Sequence, residues 1–551
     1  MWSAAPEEVL CLVLLWLPAE DVRACAQVCS RWRTICFHAC VWRDMLKRDF
    51  MVTPESVAVL ARRTEEEPDA ARAEYNRCAS RWRRAAQVSS TAHEAPLTFV
   101  TLSQDNVLAC STSQDGTFAI WSKKSDSWEV LWSQDVQSLG WWHPISARFC
   151  PDSQEDYKLL LCGALRVDTT SPRGELAVYQ VSVDRAPNLL SRVSLSPMWA
   201  RGAWWGDGRM MTAEMHWLSR RECATTLWLC ADTQETQSEL TPVMSQLCRL
   251  FNGTGSVPRL MELCPVYERV DPGIAMVELW NEGNEDQGYY IQNTTSHASL
   301  EDFEDLDKLL IFTCGVELSA SHLLCFVYLP QEAAYWPAGI RTKISLDDRV
   351  RERRLRRLEE QDREEETAEE RERREQAEVE SVRANCIDPD RTIDLRGHIV
   401  GLAPSPDYGM LYVAAHIWRG PNAESVDARV SVCAVCLRGV RVVWRSRPPL
   451  TKEIGSLPRS CANSMLHYIQ PAVSFYYVAS PLGGCSLDVC LWSRVSGACL
   501  RTLRHASPAH SVAISDEGHK HTLLCASDQH TLAVWESNPG LNEDIPDDIA
   551  E

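Results

Sequence analysis

The sequence predicts a mainly β protein: a β-propeller of about seven blades, preceded by a small all-α module and carrying a charged helical insertion. Three observations lead there. From about residue 90 onward, short β-branched and aromatic runs alternate with Asp, Gly, Pro and Ser turns, the pattern of antiparallel sheets. Before residue 50, apolar residues recur instead at steps of three and four. Late in the β region, residues 347–384 are dominated by Arg and Glu and contain neither Gly nor Pro.

In the N-terminal module, residues 1–50, Val9, Leu10, Val13, Leu14 and Leu17 share one helical stripe, and Pro18 closes that helix. Asp21 is placed to accept a hydrogen bond from a backbone amide of the next turn and so to start a second helix. That helix brings Val22, Cys25, Val28, Cys29 and Trp32 toward the first, and Trp42, Met45 and Leu46 mark a third. About forty residues bury too little apolar surface to stand alone, so leftover hydrophobic area should seek a partner. The run from Val9 to Leu17 has no preceding positive charge and no small-residue cleavage site, so a secretory signal is not expected.

The order Pro6, Glu7-Glu8, Val9-Leu10, Leu14, Leu17-Pro18, Asp21, Val28-Cys29, Trp32 and Val41-Trp42-Arg43 resembles the F-box. This is a three-helix module that docks on the Skp-type adaptor of cullin-RING ubiquitin ligases. The resemblance implies that Pro6, Leu10, Leu14, Leu17, Pro18 and Val22 contribute to the adaptor surface, and that Val28, Cys29, Trp32 and Trp42 are packing positions. Ala5 departs from the pattern, since many F-boxes carry leucine before the first proline.

Residues 51–88 read as a helical linker, and residues 89–546 as the propeller. Two segments repeat clearly: Ala92-His93 through Ile120-Trp121, and Arg504-His505 through Val534-Trp535. Both resemble WD repeats of about forty residues, each a four-stranded blade. In such a blade a loop His, a strand Ser or Thr, a turn Asp and a strand Trp satisfy one another's hydrogen bonds as a buried relay. His93, Asp115 and Trp121 take those places in the first repeat, and His505, Ser527 and Trp535 in the last. Gln529 stands where the last repeat needs its aspartate, so that relay must be weaker or differently connected. Degenerate blades are expected over 146–179, 202–230, 258–281, 309–329, 397–435 and 442–492, a count compatible with seven or eight blades, of which size favours seven.

The insertion, residues 341–390, sets Glu359 with Arg363, Glu369 with Arg373 and Glu370 with Arg374 at i,i+4 in the favourable order. Each pair contributes roughly 0.2–0.5 kcal/mol to a helix. Within residues 347–384 Leu355 and Leu358 give an apolar pair but sustained heptads are absent, so a solvated single helix or a partly disordered segment between blades is expected rather than a coiled coil. Fully helical, residues 347–384 would extend about 55 Å.

A formal charge of −20 and a pI near 5.2 argue against nucleic acid and membrane surfaces as partners. The 23 cysteines sit inside apolar runs such as Leu108-Ala109-Cys110, as small buried hydrophobes in a reducing compartment do. Cys433 and Cys436 form an isolated C-x-x-C whose members face opposite sides of a strand, so no metal is expected there or elsewhere. Trp141-Trp142 and Trp204-Trp205 are aromatic pairs that suit either a client-binding face or the core, and core is the favoured reading because tryptophan in propeller strands is usually buried. No hydrolase, P-loop, zinc-protease or kinase motif is present, so neither catalysis nor a cofactor is expected.

Along its length the chain resembles the F-box and WD-repeat family, through Ile120-Trp121-Ser122, Arg173 to Val178, Ile311 to Gly315, Ile393 to Leu402, Ser405-Pro406-Asp407 and Leu411-Tyr412-Val413. The resemblance implies a substrate-recognition subunit of a Skp–cullin–F-box ubiquitin ligase that binds protein clients on the propeller. Such a subunit makes and breaks no bonds; it raises the effective concentration of client lysines near the charged enzyme. It also implies a cytoplasmic protein, with the nucleus or centrosome as further locations, and relatives linked to control of centrosome duplication and of actin and signalling regulators. A second cullin adaptor reads a Trp-acid-x-Arg ending on some WD repeats. Here the matching places are Trp492-Ser493-Arg494-Val495 and Trp121-Ser122-Lys123-Lys124, and neither supplies both acid and arginine. The alternative is a WD scaffold for a cytoskeletal, centrosomal or trafficking complex, without ubiquitin transfer.

Overall fold

The computed structural model describes residues 5–50, 69–84, 92–266, 306–331 and 368–537, save Pro18 and short stretches between elements. Helices α1 (Glu7–Leu14), α2 (Ala19–Cys25), α3 (Ser30–Cys36) and α4 (Ala39–Phe50) form the N-terminal module. Pro6 stands at the N-cap of α1, and Glu7 and Glu8 complement the positive end of its dipole. Leu10, Leu14, Val22, Ile35, Val41, Trp42, Met45 and Leu46 pack together, joined by Ala71 and Tyr75 of α5 (Ala70–Ser80). The Trp42 indole donates to the Cys36 carbonyl at 2.8 Å and meets the Tyr75 ring edge-on, centroids 5.2 Å apart.

Seven antiparallel sheets follow and form a seven-bladed propeller. Their first strands are Leu97–Leu102, Trp141–Phe149, Ala203–Gly206, Val257–Pro265, Gly397–Pro404, Ala472–Val473 and Ala509–Glu517. First strands of successive blades adjoin one another and surround the axis. Both faces of each sheet are covered by neighbouring blades, which explains the continuous apolar runs. In Leu108–Ser113, Leu108 and Cys110 face blade two while Ala109 faces blade seven. Likewise Cys433 packs toward blade four and Cys436 toward blade six, so this C-x-x-C pair shares no site.

The ring closes where blade one meets blade seven. Leu97 donates its amide to Gln529 O at 3.2 Å, and Ser511 Oγ accepts the Val100 amide at 3.2 Å. Within blade seven, Trp82–Arg84 supplies the outermost strand, with Trp82 opposite Ser537 and Arg84 opposite Trp535. The reading of 51–88 as a helical linker agrees with the helix Ala70–Ser80 and is corrected at its end: Trp82 is buried, its ring edge-on to Tyr477 at 5.7 Å, and burial selects the strand.

Blade four corrects two further expectations. The segments expected as separate blades at 258–281 and 309–329 are one sheet of Val257–Pro265, Lys308–Gly315, Leu323–Leu329 and Arg391–Asp394. The charged insertion therefore interrupts this blade between its third and fourth strands instead of lying between blades. Its helix α6 (Ala368–Ala384) carries a buried Val379, and its end is fastened to blade three. Arg383 lies over the Phe251 ring at 5.2 Å, and the Ile387 amide donates to Arg249 O at 2.8 Å. Residues 332–367, including the Leu355–Leu358 pair and the Glu359–Arg363 pair, lie outside the described residues. Among the described residues no helix is long and apolar enough to cross a membrane.

A histidine pair bridges blades four and five. Buried His322 accepts the Ile399 amide at Nδ1 (3.1 Å), so its proton sits on Nε2, 3.3 Å from His398 Nδ1. Burial first, then the neighbouring His398 and Arg259, hold the His322 pKa down at about 3. An unfolded histidine titrates near 6.5, so below that pH the unfolded chain takes up a proton that the fold refuses. Stability should therefore fall as pH drops from about 6.5 toward 3, at about 1.4 kcal/mol per unit from this residue. Denaturant unfolding at pH 7.0 and 5.5 checks it: His322→Gln should flatten the slope, and an unchanged slope would refute the account.

Candidate functional site

Helix α1 is apolar on nearly every side, and packing decides which side stays out. Leu10 and Leu14 are buried, and Leu17 leans on the same cluster. Val9, Leu12 and Trp16 recur at i, i+3 and i+7 on the outer side, with Leu12 58% and Trp16 71% exposed. The adaptor surface assigned to Leu10, Leu14 and Val22 is thus corrected: those three are module core, and the outward stripe lies beside them. Pro6 is exposed, and Pro18 lies outside the described residues.

The packing roles of Val28 and Cys29 are corrected in the opposite direction. Ala19, Val22 and Ala26 recur at i, i+3 and i+7 and turn inward, which carries Val28 to the surface, 69% exposed. Cys29 is exposed at the N-cap of α3. Trp32 is half-buried against the module core, and Trp42 is fully enclosed.

The module is tied to the ring through a buried carboxylate that the sequence did not flag. Asp49 accepts Arg48 Nε and Nη2 at its two oxygens (2.7 Å each) and the Tyr75 hydroxyl at 2.6 Å. It also accepts Ser496 Oγ, from a turn in blade six, at 2.7 Å. Arg48 reaches back to the carbonyls of Leu15 and Leu17 just beyond α1. Burial disfavours the Arg48 charge, but the Asp49 bonds outweigh it and raise its pKa. Burial and then the Asp49 charge push the Tyr75 phenol well above its usual range. One carboxylate thus joins the end of α1, α4, α5 and the propeller.

In blade one the relay runs from strand to loop. Trp121 Nε1 donates to Ser111 Oγ (2.7 Å), which meets His93 Nε2 (2.7 Å), while His93 Nδ1 meets Thr117 Oγ1 (2.8 Å). Asp115 accepts the Glu94 and Thr117 amides, each at 2.8 Å, and the Thr117 hydroxyl at 2.6 Å, closing the turn. Ser111 and Thr117 are links that the sequence reading did not name, although a strand Ser or Thr was the required type. In blade seven Trp535 Nε1 donates directly to His505 Nε2 at 3.1 Å, and Ser527 Oγ accepts the Gln529 amide at 3.3 Å. Both relays are buried and structural.

Charge also crosses the axis. Arg148 of blade two forks onto Glu262 of blade four, 2.6 Å at each oxygen. Buried Arg201 donates to Gln470 Oε1 at 2.9 Å and lies over the rings of Tyr468 (4.7 Å) and Phe99 (5.6 Å). Burial, then Arg148, lowers its pKa to about 10. Of the tryptophan pairs expected as core, Trp141, Trp204 and Trp205 are buried, whereas Trp142, skipped where the strand register shifts between Trp141 and His143, is 63% exposed.

The F-box-like family matches residues 2–48, and the WD domain, G-beta repeat, matches residues 86–122. With the fold, these define the class: an F-box-like module joined to a WD-repeat propeller. Nearly the whole chain resembles F-box/WD repeat-containing protein 5. The human protein is 24% identical over 97% of this chain and 94% of its own length, and that of Rattus norvegicus 23% identical over 97% and 94%. The crystal structure of Saccharomyces cerevisiae Sqt1 overlays 82% of this chain and 99% of its own, at a TM-score of 0.37 and 10% identity.

Proposed function

We propose that this chain is the substrate-recognition subunit of a Skp–cullin–F-box ubiquitin ligase, with the helical module docking the Skp-type adaptor and the propeller holding protein clients. The observation that carries this reading is the outward stripe of Val9, Leu12 and Trp16 on a module whose core is otherwise complete. Exposed apolar area rimmed by polar residues marks a protein interface. The Asp49 hub supports it, since a recruiter must hold its client at a set distance from the enzyme that modifies it. The buried thiols along the ring suit a cytoplasmic protein.

Replacing both Leu12 and Trp16 by Asp should lower adaptor affinity about a hundredfold, or about 2.7 kcal/mol. Ring unfolding should not change, because neither side chain belongs to the core. Binding measured with purified adaptor is the check, and unchanged affinity would overturn the reading. Leu14→Asp is the contrasting control: it buries a charge in the module and should unfold it.

A further inference from the structure

Three soft donors converge in the helical module. Cys11 on α1, His38 at the mouth of α4 and Cys40 in its first turn each offer one ligand atom, and these atoms all lie within 4.8 Å of one another. All three residues are half-buried, shielded from bulk water yet open to an entering ion. We propose that Cys11, His38 and Cys40 form a binding site for zinc or a similar borderline-soft divalent cation, which fastens α1 to the start of α4.

Two thiolates and an imidazole are the donor set that zinc prefers, and two thiolate charges neutralise a divalent ion. Bonds of about 2.3 Å to sulfur and 2.0–2.1 Å to nitrogen put tetrahedral donors roughly 3.3–3.8 Å apart. Donors already within 4.8 Å need to close by about an ångström, a side-chain adjustment. For the fourth position α1 offers Glu7, four residues before Cys11 and outside the 4.8 Å cluster, so its carboxylate would swing in or leave the place to water. Glu7 and Glu8 both act electrostatically on the Cys11 thiol. Burial and then Cys40 push the Cys11 thiol up to about 11. The ligands span 30 residues without a C-x-x-C, so linear spacing conceals them. The site would stiffen the helix that bears the outward stripe, but it stands or falls independently of adaptor docking.

Cobalt(II) titrated into the reduced full-length chain is the test. The visible bands of tetrahedral cobalt with a thiolate charge-transfer shoulder should appear at one equivalent and be displaced by zinc. They should vanish in Cys40→Ser and weaken at least tenfold in affinity in His38→Gln, but persist in Cys29→Ser, whose exposed thiol lies apart from the cluster. His38→Gln, with circular dichroism unchanged, keeps the test valid should Cys40→Ser fail to fold. Zinc should raise the unfolding temperature of the parent by more than that of His38→Gln. Absence of the bands, or bands surviving in both Cys11→Ser and Cys40→Ser, would overturn the site.

Discussion

A chain that begins at residue 89 should fail to form a stable ring, whereas one that begins at residue 69 should fold. The first lacks Trp82–Arg84, the outermost strand of blade seven, and leaves Ala533–Ser537 as an uncovered edge. An exposed strand edge recruits other chains, so soluble aggregates are the expected product. It also lacks Trp82, which is buried among Tyr477, Leu491, Leu523 and Trp535 where blades six and seven meet. Truncating a buried tryptophan costs about 3–5 kcal/mol, a large share of a domain's total stability. The loss falls on closure, and an open ring exposes the apolar faces of its terminal blades together. Thermal unfolding and size-exclusion profiles of the two chains settle it. Trp82→Ala in the full-length protein should destabilise by the same 3–5 kcal/mol. Equal melting of the two truncated chains would show that blade seven closes without its outer strand.

The same strand shows where the sequence was legible. The helical module and the ring follow from a change of period, and the turn Asp115-Gly116 before Trp121 marks the first repeat. Trp82, by contrast, sits in a charged stretch whose composition favours helix; its strand exists because a distant edge, Ala533–Ser537, is there to pair with it. Blade four is obscured by distance as well, since about sixty residues separate its third strand from Arg391–Asp394. On α1, hydrophobicity names both stripes and cannot rank them. Leu10 and Leu14 are inside, and Leu12 and Trp16 outside, only because α2 to α4 lie on one side. The F-box resemblance and the helical spacing fix the module's order of residues but not their orientation, so they put Val28 and Cys29 inside where the structure has both exposed. Asp49, Ser496 and the Cys11–His38–Cys40 cluster had no local signal, because their partners are remote in the chain.

Asp49→Ala should destabilise the helical module by about 3–5 kcal/mol, the cost of leaving one member of a buried ion pair without the other. Arg48 would keep its carbonyl acceptors at Leu15 and Leu17 but lose the carboxylate that offsets its burial. The Tyr75 and Ser496 hydroxyls would lose their acceptor in the same step. Asp49→Asn keeps the shape and removes the charge, and should cost about 1.5–3 kcal/mol. Ser496→Ala removes only the tie to the ring and should cost about 1 kcal/mol. Denaturant unfolding should therefore split into two transitions in Asp49→Ala, the helical module melting first and the propeller later at its parental midpoint. If the hub couples the two parts, Asp49→Asn and Ser496→Ala combined should be non-additive by about 0.5 kcal/mol or more. Strict additivity would mean that the Ser496 contact carries no orientation between recruiter and ring, and an Asp49→Ala effect below about 0.5 kcal/mol would remove the hub altogether.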